Sequence, residues 1–164
     1  MSRDEQIREV KSATLLRFNQ LWQRNFQANL SAIQRNPGVI ALKNKLRDLP
    51  CIVVGAGPSL DKNICFLHRA QNKAVIISCD AALKPLMGHG IVPDFVVCLD
   101  PQEEISRFLI NVPQGEITLV VPSIVHPHIL ELWESNILFF NKFAPDIPTL
   151  VEIQKKVPHL GILT

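Results

Sequence analysis

The chain has 164 residues, 47% hydrophobic and 20% charged, with a formal net charge of +2. That is enough to bury the core of one ordinary domain, and the charge is too mild, with no basic run longer than Lys155-Lys156, to call for a nucleic acid partner. No apolar run approaches a membrane span, and the N-terminal MSRDEQIREVK is too polar for a signal peptide, so the expectation is a cytoplasmic protein.

From about Glu5 to Gln34 the residues Ile7, Val10, Leu15, Phe18, Leu21, Trp22, Phe26, Leu30 and Ile33 recur at threes and fours without Pro or Gly. This spacing predicts one amphipathic helix or two. Asn25 and Asn29 share the side of Trp22 and Phe18, and read either as solvated surface amides or as amides turned inward. Asn36-Pro37-Gly38 stops the helix, and a short amphipathic piece through Leu46 leads to Asp48-Leu49-Pro50. A boundary falls near residue 47, dividing a helical N-terminal extension (1–47) from a βα core (48–164).

The core opens on Cys51-Ile-Val-Val54, a buried strand running into Gly55-Ala56-Gly57-Pro58-Ser59, with a helix beginning at Pro58. Such a turn is a phosphate cradle: glycine admits an anion close to the backbone, and the first amides of the helix point outward unpaired. Four further apolar runs follow, at 74–79, 95–99, 117–121 and 137–140, alternating with helix-like segments at 61–70, 81–88, 102–110, 127–134 and 148–156. Short continuous apolar runs suit strands buried on both faces. The fold class is therefore α/β, a Rossmann-like open, mostly parallel sheet with helices on both faces. Pro158 to Thr164 ends where another strand or ligand loop would begin, which suggests a core truncated at its C-terminal end.

Cys51, Cys65, Cys79 and Cys98 show no CxxC pair or metal spacing, and Cys51, Cys79 and Cys98 read as small buried hydrophobes. His126 and His128 read as an exposed loop or a first helical turn rather than as metal ligands or a general base.

In open parallel sheets ligands bind beyond the carboxyl ends of the strands, where strand order reverses. Those ends carry Gly55 to Ser59, then Asp80, then Asp100-Pro101, then Ser123, then Asn141 and Lys142. The turn is not a Walker loop, because Ser59 is followed by Leu60 and Asp61 instead of the lysine and hydroxyl that loop needs. A dinucleotide fingerprint fits Gly55-Ala56-Gly57 with Asp80 at the second strand end, but Leu60 stands where its third glycine would be. Asp80 and Asp100 each end an apolar run, where a lone carboxylate needs a helix N-terminus, a ribose hydroxyl or a divalent cation bridging to phosphate. Helix capping and ligand binding both remain open for them.

The segments GAGPSLDKN (55–63), CDAALKPLMGHGIVPDFVVCLDP (79–101) and RFNQLWQRNFQANL (17–30) resemble the MptE-like family, which includes archaeal 6-hydroxymethylpterin diphosphokinases and bacterial motility-associated factor (Maf) flagellin glycosyltransferases. The resemblance implies a nucleotide-dependent transferase. The phosphate would lie on Gly55, Ala56, Gly57, Pro58, Ser59 and Leu60, with Asp80 at the ribose and Asp100, Pro101 and Ser123 completing the nucleotide site. Asp100 and Asp80 are the catalytic candidates, and Asp100 is also the candidate ligand for magnesium. The cofactor implied is a nucleotide or nucleotide-sugar, of the CMP-sugar type or ATP, and a protein such as flagellin is the implied acceptor. The alternatives are pyrophosphoryl transfer from ATP to a hydroxymethylpterin, and a non-catalytic nucleotide-binding module whose N-terminal helix docks a partner.

Overall fold

The structure is a computed structural model describing residues 3–163, with side chains described from Leu15 to Leu163. The long stretch free of Pro and Gly forms one continuous helix, α1 (Arg3–Arg35). Its end is fixed by Asn36, whose backbone N–H and side-chain Nδ2 both donate to Ala32 O, at 3.1 and 2.9 Å. Trp22, Phe26 and Ile33 of the expected stripe are buried, whereas Leu15 is exposed; Ile7 and Val10 lie outside the described side chains. Asn25 and Asn29 are turned inward and buried.

After a 3-10 turn at Val39–Leu42, strands and helices alternate: β1 (Cys51–Val54), α2 (Leu60–Leu67), β2 (Val75–Cys79), α3 (Asp80–Gly88) and β3 (Phe95–Val97). The alternation continues with β4 (Thr118–Pro122), α4 (Pro127–Glu131), β5 (Ile137–Lys142), α5 (Pro148–Lys156) and β6 (Ile162–Leu163). Each apolar run thus becomes a strand, and a sixth strand forms at the C-terminal end. The segment expected to be a helix at 102–110 is instead a 3-10 helix, Glu103–Phe108. The helix expected from Pro58 begins at Leu60, because Pro58 and Ser59 form a turn closed by the Leu60 N–H on Gly57 O at 2.9 Å.

All six strands are parallel and pair in chain order, β1-β2-β3-β4-β5-β6, curling into a half-barrel. Reversal of strand order is therefore absent among the described strands, and the expected switch point does not arise within this sheet. The reason is physical: each strand pairs with its immediate successor, so right-handed crossovers return their helices to the same face every time, and the helices expected on both faces lie on one. One row across the sheet, Val54, Ser78, Val96, Leu119 and Ile137, marks that face. There Val96, Leu119, Val121 and Phe139 meet Trp22, Phe26 and Ile33 of α1, Leu83 of α3, Ile129 of α4 and Ile153 of α5 in one cluster. Fully burying a side chain of this size contributes about 1.5–3 kcal/mol, so the sheet and α1 stand or fall together. The opposite face carries the Val39–Leu42 turn, whose Val39 and Leu42 pack on Val120, Leu138 and Phe140.

β1 is an outer strand, and that changes its burial. Val53 is 75% exposed and Cys51 is exposed, so the reading of Cys51 as a buried hydrophobe is corrected; Cys79 is half-buried and Cys98 buried. Among the described residues no helix is long and apolar enough to cross a membrane, and no three His, Cys, Asp or Glu side chains group as metal ligands.

Candidate nucleotide site

Because the strands are parallel, their carboxyl ends share one edge. β1 pairs with β2 and β2 with β3, so the Gly55 to Ser59 turn, Asp80 and the Asp100 loop follow three adjacent strands. Gly55 through Ser59 are all exposed. Neither Gly55 nor Gly57 has a positive φ; a Cβ at Gly55 would meet nothing within 4 Å, and one at Gly57 only Ser59 Oγ at 3.9 Å. Neither backbone strain nor packing therefore requires these glycines. What they provide is an uncovered main chain, whose Ala56, Gly57 and Ser59 amides donate no hydrogen bond among the described residues. Main-chain amides left free in this way are available to donate to an anion.

The turn is held from behind. Asn63, a residue the sequence reading passed over, donates from Nδ2 to Ser59 O at 3.0 Å, one helical turn back. Its position four residues after a turn serine was the available signal. Leu60 is buried with Val54, Ile64 and Ile76, so its side chain anchors α2 to the sheet and fills the volume that a third glycine would leave open. Ser59 makes no side-chain cap, leaving its hydroxyl outside the helix hydrogen-bonding scheme. Beside the turn a cleft of about 180 Å³ is lined by Ile52 to Gly55, Ser59, Leu60, Asn63 and Leu67. That is below the roughly 300–1,000 Å³ of ordinary small-molecule pockets, too small for a whole nucleotide.

Asp80 opens α3, with Cys79 in the capping position, and its Oδ1 accepts from the Ala81 N–H at 2.6 Å. Its carboxylate also acts on Cys98: burial first, then Asp80, then Cys79 push that thiol's pKa well above the usual range. Asp100 does not cap the segment that follows it. The 3-10 helix that follows has Gln102 in the capping position. Asp100 instead closes a turn on Gln102, accepting its backbone N–H on Oδ1 at 2.9 Å and its Nε2 on Oδ2 at 3.3 Å. Both aspartates are half-buried, while Pro101 is buried.

Ser123 lies in the next loop along the same edge. It follows β4, is buried, and its hydroxyl donates to Asn141 Oδ1 at 3.3 Å, while Asn141 Nδ2 donates to Val157 O at 2.8 Å. His126 caps α4 by accepting the His128 N–H on Nδ1 at 3.4 Å, and His128 Nδ1 lies 3.2 Å from Glu131 Oε2. The histidines thus occupy a first helical turn. For magnesium, the chain offers two carboxylates at neighbouring strand ends. That fits an ion held by one or two carboxylates and completed by substrate phosphates, and does not fit a cage made by protein alone.

The family described as 6-hydroxymethylpterin diphosphokinase MptE-like matches residues 24–161. A solved structure described as a MAf glycosyltransferase from Magnetospirillum magneticum AMB-1 superposes with a TM-score of 0.52 and 29% identity, over 62% of this chain and 17% of that one. Two uncharacterized proteins of Treponema pallidum (strain Nichols) are 35% identical over 85 residues and 32% identical over 103 residues, covering 52% and 62% of this chain. The chain spans 40% and 18% of the lengths of those two relatives.

Proposed function

The chain belongs to the MptE-like family, and on that premise we propose that it is the phosphate-holding part of a nucleotide-dependent transferase, a Maf-like glycosyltransferase acting on a nucleotide-activated sugar. The observation that carries the reading is the uncovered Gly55 to Ser59 backbone standing beside Asp80 and Asp100 at three adjacent strand ends. Glycosyl transfer from a nucleotide sugar needs the departing phosphate charge met by fixed donors, and free main-chain amides supply them without reorganising at the moment of reaction. Asp80 is assigned to the ribose and Asp100 to the acceptor or metal side. A nucleotide-sugar of the CMP type, a protein acceptor such as flagellin and a cytoplasmic site of action belong to this proposal. The similarity to a glycosyltransferase of known structure favours it.

The description of the matched family favours a second reading, pyrophosphoryl transfer from ATP to a hydroxymethylpterin. In it Asp80 and Asp100 would hold magnesium, which when bound neutralises the phosphate charge that develops during transfer. One assay separates the two. The natural polypeptide containing this chain is incubated in parallel with a CMP-activated acidic sugar plus flagellin as acceptor, and with ATP, Mg²⁺ and the dihydropterin. Release of CMP without formation of AMP is expected. AMP formed only with the pterin would replace the first reading with the second, and neither product would contradict both.

A further inference from the structure

Asn25 and Asn29 lie one helical turn apart on α1, and each is 1% exposed. Asn25 Nδ2 donates to Pro101 O at 2.8 Å and to Ile124 O at 3.0 Å. Asn29 Nδ2 donates to Ser123 O at 3.2 Å and to Val125 O at 2.8 Å. All four acceptors are main-chain carbonyls in the loops that leave β3 and β4 at the edge carrying the candidate site. The amide orientation is not arbitrary, since a flip would set each Oδ1 against two carbonyl oxygens. The Oδ1 atoms of both residues are buried without a hydrogen-bond partner among the described residues, so only the donors of each amide are used, and an apolar side chain would leave the carbonyls they serve unpaired.

Asn25 is the more telling of the two, because a single NH₂ group joins different loops. Pro101 directly follows Asp100, so fixing the Pro101 carbonyl fixes the chain direction out of Asp100 and with it the turn that Asp100 closes on Gln102. Its second bond ties that loop to Ile124, two residues before His126. Asn29 then holds the β4 loop on either side of Ile124.

We propose that Asn25 and Asn29 are positioning residues, an amide clamp through which α1 locks the loops after β3 and β4 together and sets the direction in which Asp100 presents its carboxylate. The clamp touches no ligand and acts through Asp100. The functional half of the inference rests on the reading of the Gly55–Asp80–Asp100 edge as a nucleotide site.

The test uses Asn25→Leu, which keeps the branched shape and removes both donors, and Asn25→Ser, whose one hydroxyl proton cannot reach both carbonyls. In the ligand-free protein, amide hydrogen exchange is followed at Gln102 and Val125, whose N–H groups are bonded within the two loops, and at Val75, bonded to Pro50 O far from them. The expected result is exchange at least tenfold faster at Gln102 and Val125 with Val75 unchanged. Equal acceleration at all three would mean general destabilisation and overturn the clamp, as would no change. Nucleotide affinity gives the second arm, as a double-mutant cycle with Asp100→Asn. Asn25→Ser is expected to weaken CMP binding at least fivefold in the wild-type background and to add nothing when Asp100 is already Asn. Fully additive losses would overturn positioning through Asp100. A wild-type protein that binds neither CMP nor CDP would refute the proposed function instead, and the exchange arm would still decide the clamp. If Asn25→Leu does not fold, Asn25→Ser carries both arms.

Discussion

Cys98 shows how one residue reports on its surroundings. Its thiol is buried beneath the β2–β3 edge, and burial, Asp80 and Cys79 all disfavour the thiolate. Since only the thiolate is nucleophilic, Cys98 stays protonated and inert through neutral and mildly alkaline pH, while the exposed Cys51 and Cys65 are open to reagent. Alkylation with iodoacetamide at pH 8, read by peptide mass spectrometry, should label Cys51 and Cys65 and leave Cys98 unmodified until the protein is unfolded. Early labelling of Cys98 would place it outside the core. Sequence alone gave Cys51 and Cys98 the same reading, because both adjoin an apolar run. They differ only in whether the strand is outer or inner, and local residue pattern does not encode that.

Among the elements, the junction between α1 and the sheet is the most constrained. Gly38 forms an isolated parallel bridge with Phe139 of β5, and the preceding Pro37 O accepts the Phe139 N–H at 3.0 Å. A Cβ at Gly38 would overlap the Leu160 backbone, and main chain cannot yield as a flexible side chain does. Gly38→Ala should therefore destabilise by about 2 kcal/mol, the middle of the range for overpacking a tight site. This corresponds to a fall of roughly 4–8 °C in melting temperature for a domain of this size, checked by thermal unfolding followed by circular dichroism. An unchanged midpoint would mean that the α1 exit does not pass between β5 and Leu160. Here the sequence was informative about kind and silent about purpose: Asn36-Pro37-Gly38 read correctly as a helix stop, but close approach to Leu160 depends on a contact across 122 positions of chain. The 3-10 helix at Glu103–Phe108 was missed for a related reason. Its residues are compatible with an α-helix, but the Asp100 turn fixes the start of the segment, and Ser106 and Leu109 are buried over a short span.

At the scale of the whole molecule, five apolar runs were enough to give parallel strands with helices between them. The order of those strands was not legible, because sequential and reversed sheets are written with the same βα alternation. That difference decides how the site is built. With every described strand following its predecessor, the Gly55 turn lies at the outer strand, beside a cleft of about 180 Å³. The inward orientation of Asn25 and Asn29 was likewise left open by helical spacing, and only the positions of Pro101 and Ser123 to Val125 around them assign it. The candidate residues come from reading the strand ends in turn. Gly55 to Ser59, Asp80 and Asp100 come together on adjacent strands, while Ser123 is occupied with Asn141.

The most direct measurement is a ¹H–¹⁵N NMR titration of the protein with CMP and CDP, repeated on Gly55→Val. A Cβ at Gly55 meets nothing within 4 Å, so the variant should keep its fold and its unfolding midpoint while the branched side chain covers the turn. Saturable shifts are expected at Gly55, Ala56, Gly57 and Ser59, with smaller ones at Asp80 and Asp100, and their loss in Gly55→Val. Nucleotide shifts confined to other surfaces, or binding undiminished in a folded Gly55→Val, would contradict the proposed nucleotide site.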